Sequence, residues 1–161
     1  MNNRHLLIVW HSRTGASEAM ARAAAQGAGS GASMLAARDV EANQLLSAAG
    51  FLFVCPENLA AMSGEMKEMF DRTYYPVLGQ VEGRAYATAI AAGSDGEGAQ
   101  RQIDRIARGW RLKRVADPVI VCTHAQSREA IERAKVLHDS DLERCRDLGK
   151  TLASGIALGI F

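Results

Sequence analysis

Apolar residues along this chain cluster into short continuous runs separated by longer stretches with helical spacing. Leu6-Leu7-Ile8-Val9-Trp10 is the first run, Gly50-Phe51-Leu52-Phe53-Val54-Cys55-Pro56 the clearest, and Arg84 to Ala92 and Asp117-Pro118-Val119-Ile120-Val121-Cys122 follow. Continuous apolar runs of this length fit strands buried on both faces, as in a parallel sheet. Ser33 to Ala37 is a weaker strand pattern. Between the runs, Ala16, Ala19, Met20, Ala23, Ala24 and Gly27 recur at helical intervals, and Gly27, Gly29 and Gly31 are expected to stop that helix. Ala42 to Ala49 reads as a short helix or turn. Met62, Met66, Met69, Phe70, Thr73 and Tyr74 share one helical face, with Ser63 as the expected cap and Pro76 as the end. Ala99, Ile103, Ile106, Ala107 and Trp110 form another such face, with Arg101, Asp104, Arg105 and Arg108 pointing to solvent. Ser127 to His138 reads as a helix capped by Ser127. Asp139-Ser140-Asp141 opens a last one, with Leu142, Cys145, Leu148 and Leu152 aligned.

Strand and helix thus alternate throughout, which predicts a parallel sheet of five strands with helices on both faces. At 161 residues the chain is read as a single domain, 1–161, with no internal repeat or linker. Glu57 to Met62 is expected to be a loop. The segments after the first, third and fourth strands would then meet at the carboxyl edge of the sheet, where open α/β sheets bind ligands.

The first of those segments carries the most specific chemistry. Ser12-Arg13-Thr14-Gly15-Ala16-Ser17 joins a strand to a helix. The first N–H groups of a helix have no partner within it, and the helix dipole favours an anion there. Ser12, Thr14 and Ser17 can add hydroxyl donors, and Gly15 lets the backbone approach closely. Three hydroxyls and a glycine exceed what one helix cap requires, so the loop reads as a phosphate seat. Arg13 either neutralises the phosphate or is simply solvated. In the second segment, Pro56, Glu57, Asn58 and Leu59 have plain turn chemistry as the alternative to a ligand contact. In the third, Gly93-Ser94-Asp95-Gly96-Glu97-Gly98 is either a flexible connection or a backbone cradle. It is not a dinucleotide fingerprint, which needs its glycines after the first strand.

Together these residues resemble the flavodoxin superfamily over nearly the whole chain, and within it the small NAD(P)H-dependent FMN and quinone reductases. Ser12-Arg13-Thr14-Gly15-Ala16-Ser17 is similar to that family's phosphate loop, with Ala16 where flavodoxins usually carry asparagine. Pro56-Glu57-Asn58, then Ser63-Gly64-Glu65-Met66-Lys67 and Phe70-Asp71-Arg72, resembles the reductases' second loop and helix. Gly93 to Gly98 is similar to the third loop.

The resemblance implies a flavodoxin-like three-layer sandwich with strand order 2-1-3-4-5, a case for which flavodoxin itself is the standard example. It also implies FMN as cofactor. Its phosphate would lie on Ser12, Arg13, Thr14, Gly15, Ala16 and Ser17. Its ring would lie against Pro56, Glu57, Asn58 and Leu59 and against Gly93, Ser94, Asp95, Gly96 and Gly98. Asn58 would face the ring edge near N5, where hydride arrives. The implied activity is two-electron transfer from NAD(P)H through FMN to a quinone or similar small acceptor. The cofactor carries that chemistry, so no side chain is expected to act as a nucleophile. His11 and His124 both follow strands; His124 is the better candidate to touch substrate, although a lone histidine is more often structural. Neither loop offers a Trp or Tyr to flank the ring, so one face would be open or covered by a neighbour in a homodimer or homotetramer. The alternative is a flavodoxin-type electron carrier that docks to redox proteins. Such carriers are typically strongly acidic, whereas this chain has a formal net charge of +1.

That charge gives no polyelectrolyte argument for nucleic acid or membrane binding. There is no Gly-Lys-Ser/Thr for a nucleotidase, no cysteine opening the first loop for a tyrosine phosphatase, and no acidic pair for a phosphoacceptor. Cys55, Cys122 and Cys145 lack metal-type spacing and read as reduced. With no signal peptide or membrane-length apolar run, the expected location is the cytoplasm. The apolar end Ile156 to Phe161 either packs on the domain or helps form a subunit contact.

Overall fold

The computed structural model describes residues 4–161. Its central sheet contains β1 (Leu6–Trp10), β2 (Ala32–Ala36), β3 (Gly50–Asn58) and β5 (Ala85–Ala92), all parallel, in the order β2-β1-β3-β5. A two-residue strand, β4 (Ala61–Met62), turns back antiparallel on the end of β3. The outer position beside β5 is shared by β6 (Lys113–Arg114) and β7 (Val119–Cys122), both parallel to β5. The expected order 2-1-3-4-5 therefore holds with its last strand in two pieces. Between the pieces lies Pro118, which has no N–H to give to a ladder. The charged pair forming β6 leaves no apolar trace in the sequence.

The period of two along a strand sorts the core into two halves. Leu7, Val9, Phe51, Phe53, Cys55, Tyr86 and Ile90 face α3 (Gly64–Val77) and α4 (Glu97–Gly109). There Phe53, Phe70 and Trp110 form a chain of tilted rings 5.0 and 5.5 Å apart. Leu6, Ile8, Leu52, Val54, Ala87, Ala89 and Ala91 face α1 (Ala16–Ala28) and α6 (Asp139–Leu158). Every residue of β5 is buried, and the three methionines Met62, Met66 and Met69 pack in the core.

Several local expectations are corrected. Gly27 does not stop α1. It lies inside the helix where α6 crosses, and a Cβ there would lie 1.9 Å from the Arg146 carbonyl oxygen. Gly149 on α6 meets the Ala24 carbonyl in the same way. Pro76 lies within the last turn of α3 rather than after it. Ser127 does cap α5, accepting from the Ala130 N–H at 3.1 Å, but α5 covers only Arg128–Glu132. The short α2 (Ala42–Ser47) is closed by a reciprocal capping box between Glu41 and Gln44. The guanidinium of Arg84 gathers the carbonyls of Leu45, Leu46 and Ala48 at its other end.

Candidate cofactor site

At the carboxyl edge of the sheet an open cleft lies between the ends of β1, β3, β5 and β7. Its first wall is the turn from β1 into α1. Gly15 precedes the helix with φ +98°, and its N–H donates to Ser12 Oγ at 3.0 Å. The first helical bond is Ala19 N–H to the Gly15 carbonyl at 3.0 Å, so the N–H groups of Ala16, Ser17 and Glu18 have no partner in the helix. Ser17 Oγ beside them is buried and makes no hydrogen bond. A buried hydroxyl is almost always paired, and this one, at a helix start near the hydroxyls of Ser12 and Thr14, has its donor free.

The second wall is a hairpin, not the expected loop. β3 runs on through Pro56 to Asn58 and turns at Leu59-Ala60 into β4. Pro56, Glu57 and Asn58 line the cleft. Leu59, at the tip, is fully exposed and stands outside it. The Glu57 carboxylate points to the start of α4, accepting from the N–H groups of Gly96 at 2.9 Å and Ala99 at 3.0 Å. It therefore ties the hairpin to α4 and is not free for a ring.

Of the third segment, only Gly93 reaches the cleft, together with Ala91 and Ala92 at the end of β5. Gly96 (φ +91°) is the residue before α4, and Gly98 lies within its first turn, where a Cβ would lie 2.2 Å from the Ala60 carbonyl oxygen. Gly98 thus lets the hairpin rest on the helix. Ser94 and Asp95 are exposed and do not line the cleft; nor does Gly15.

The remaining wall was not foreseen. Thr123 and Ala125, after β7, and Ile131 and Lys135 close the cleft from above. The Lys135 N–H donates to the Thr14 carbonyl at 2.8 Å, and its ammonium lies 3.4 Å from Thr14 Oγ1. The ammonium, which also donates to the carbonyls of Ile131 at 2.8 Å and Arg133 at 2.6 Å, thus lies beside the β1–α1 turn from 121 positions away in sequence, which no local pattern could reveal. The only signal was that the strand ending at Cys122 must deliver its following segment to the same edge. His124, the candidate to touch substrate, adopts φ +56°, bonds through its N–H to the Gly93 carbonyl at 2.8 Å, and is exposed between Thr123 and Ala125 without itself lining the cleft.

His11 is structural in its contacts. Its Nδ1 lies 2.8 Å from Ser63 Oγ and its Nε2 3.4 Å from a Glu65 oxygen. Ser63 therefore spends its hydroxyl on His11 rather than on the start of α3. Burial lowers the His11 pKa below its ordinary value, Glu65 opposing and Arg13 and Arg38 assisting. Burial pushes the Cys55 thiol up to about 12 and Cys145 up to about 11, so neither is a ready nucleophile.

A parallel sheet in the order β2-β1-β3-β5, with the last strand beside β5 and helices on both faces, is the flavodoxin-like arrangement. The solved structures that resemble the chain agree. A flavodoxin from the domain Archaea superimposes with a TM-score of 0.76 at 20% identity, covering 95% of this chain and 99% of that one. The flavodoxin-like WrbA-type protein of Agrobacterium tumefaciens gives 0.74 at 17% identity, covering 96% and 98%. Rubredoxin:oxygen oxidoreductase of Desulfovibrio gigas gives 0.77 at 15% identity, with 98% of this chain matching 37% of that one. No protein-family model matches the sequence, and no curated protein matches it either. At these identities the likeness establishes the fold: the chain is a flavodoxin-like α/β protein. Among the described residues, no helix is long and apolar enough to cross a membrane.

Proposed function

We propose that the protein binds FMN in this cleft and acts as an oxidoreductase between NAD(P)H and a quinone or similar small acceptor. The observation that carries the reading is Ser17 Oγ, buried and unpaired at the start of α1. The donors around it are those a phosphate monoester requires. Ala16, Ser17 and Glu18 offer N–H groups, Ser12, Thr14 and Ser17 offer hydroxyls, and Lys135 and Arg13 offer charge. Pro56, Asn58, Gly93 and Ala125 form apolar and backbone walls beyond the loop, suited to a flat ring. When bound, FMN would supply two-electron chemistry, taking a hydride equivalent from a reduced nicotinamide and giving two electrons, with protons from solvent, to a quinone to form the hydroquinone. The chain's part is to hold, orient and partly desolvate; no side chain in the cleft is set up as a nucleophile.

The activity reading, as opposed to a simple electron carrier, is supported by the near-neutral charge and by a cleft lining without an aromatic residue. The test is to mix the purified chain with excess FMN, desalt it, and record its visible spectrum. NADH and NADPH oxidation are then followed with a simple naphthoquinone. A yellow protein that oxidises either nucleotide only when the quinone is present is the expected result. A protein that takes up no FMN, with no heat of association, overturns the reading. A yellow protein without turnover replaces the enzyme by a carrier.

A further inference from the structure

We infer that the groove between the β3–β4 hairpin and the outer face of α4 is a seat for the phosphates of NADPH, with Arg101, Arg105 and Arg108 as their partners. The inference rests on the flavin reading for its purpose, and on the groove alone for its chemistry. The groove is lined by Ala60, Gly98, Arg101, Gln102, Arg105 and Arg108, with Asp104. None of the three arginines forms an ion pair among the described residues, whereas arginines on other faces commonly do, such as Arg22 with Glu18 and Arg146 with Glu143. Three guanidinium groups at positions i, i+4 and i+7 on one helix repel each other. A near-neutral chain that gathers them unpaired has a use for an external anion there.

The carboxylate in the groove does not cancel them. Asp104 is already engaged by Tyr86 Oη at 2.8 Å, Gln100 Nε2 at 3.0 Å and Arg114 at 3.1 Å. Gln102 gives its side-chain oxygen to the Met62 N–H at 2.9 Å, which leaves its NH₂ free to donate. The groove therefore presents donors and positive charge. Its position fits a long ligand. The upper end is formed by Ala60, on the hairpin whose base lines the cofactor cleft, and by Gly98 in the first turn of α4. From Gly98 to Arg108 the helix descends about 15 Å, so a dinucleotide with one end at the cleft can lay its other end along the arginines. The usual alternative seat for a diphosphate, a helix N-terminus, is not open on α4, because the Glu57 carboxylate occupies the Gly96 and Ala99 N–H groups. Guanidinium groups bind phosphates bidentately, and a ligand with two separated anionic groups uses more than one of them. That favours a 2′-phosphorylated dinucleotide over NADH.

The test uses the full chain, isotope-labelled, with and without saturating FMN, titrated with 2′,5′-ADP, 5′-AMP and inorganic phosphate in turn. Saturable amide shifts near residues 59–61 and 98–108 are expected, with 2′,5′-ADP bound about tenfold or more tightly than 5′-AMP. R101Q/R105Q should weaken 2′,5′-ADP about tenfold or more, its amide dispersion elsewhere showing that it is folded. With turnover in hand, kcat/KM should favour NADPH over NADH, and the double variant should erase the preference. Equal affinity for the three probes, shifts confined to the cleft, or an unaffected double variant would overturn the inference. FMN uptake is read separately by fluorescence quenching. Its failure sinks the flavin reading, while the groove is judged by the 2′,5′-ADP result alone.

Discussion

At the scale of single residues, Ser17 and His11 make opposite use of burial. Ser17 pays for a hydroxyl that no group of the chain satisfies. A buried unpaired polar group costs about 1–3 kcal/mol, so Ser17→Ala should stabilise the flavin-free protein by about 1 kcal/mol, seen as a higher melting temperature. The same variant should bind FMN about tenfold more weakly, since a hydrogen bond to a charged group is worth about 1.5–3 kcal/mol. A variant that loses stability and keeps its affinity would show Ser17 to be ordinary core. His11 is a satisfied side chain whose pKa is lowered by burial from 6.5. In the unfolded chain it takes up a proton as the pH falls through about 6.5, while in the folded chain it does not until lower pH. The unfolded state therefore binds more protons in that window, and stability falls with falling pH until the folded group titrates too. Urea denaturation of the wild type and His11→Gln should show that slope flattened in the variant. The same slope in both proteins would mean that folding leaves the half-buried His11 imidazole unperturbed.

At the scale of elements, the hairpin after β3 is where sequence reasoning fell furthest short. Leu59 and Ala60 adopt φ of +52° and +63°, the geometry of a two-residue turn that normally calls for Asn-Gly. Nothing in Glu57-Asn58-Leu59-Ala60-Ala61 advertises such a turn, because neither central residue favours it. What imposes it lies elsewhere. Glu57 grips the start of α4, Gln102 holds the Met62 N–H at 2.9 Å, and Gly98 leaves room for Ala60. Left-handed backbone at a residue with a Cβ costs on the order of 1 kcal/mol. The double substitution Leu59→Asn, Ala60→Gly should therefore raise stability by about 1–2 kcal/mol in denaturant titration. If it lowers stability instead, the turn is not strained. By contrast, the strand through Phe51, Leu52 and Phe53 was legible because it is continuously apolar and buried on both faces, and the helical face through Met66, Met69 and Phe70 because its burial is periodic. The first loop was legible because its hydroxyls, its glycine and the helix start are contiguous. The contribution of Lys135 was not, because it depends on a chain return that only the tertiary fold supplies.

At the scale of the whole molecule, the two halves of the core lie on opposite faces of one sheet, and the cleft opens at that sheet's carboxyl edge. Helices α1 and α6 approach closely at Gly27 and Gly149, while the β1–α1 turn is held by the Gly15 N–H on Ser12 Oγ and by the Lys135 N–H on the Thr14 carbonyl. A ligand that binds only the folded state stabilises it by mass action, by about 2.7 kcal/mol at a hundredfold excess over Kd. For a chain of this length that corresponds to a rise in Tm of roughly 5–10 °C. FMN should produce it. Riboflavin, which has the same ring and no phosphate, should produce much less at equal concentration, because the donors of Ala16, Ser17 and Glu18 and the charge of Lys135 would have nothing to bind. Raising the salt concentration should narrow the difference between the two, since the exposed Arg13 contributes a screened interaction, but should not remove it, since the N–H groups and Ser17 Oγ act at contact. Equal shifts from FMN and riboflavin would move the site away from the start of α1. A shift from inorganic phosphate alone, lost in Ser17→Ala, would isolate the seat from the ring.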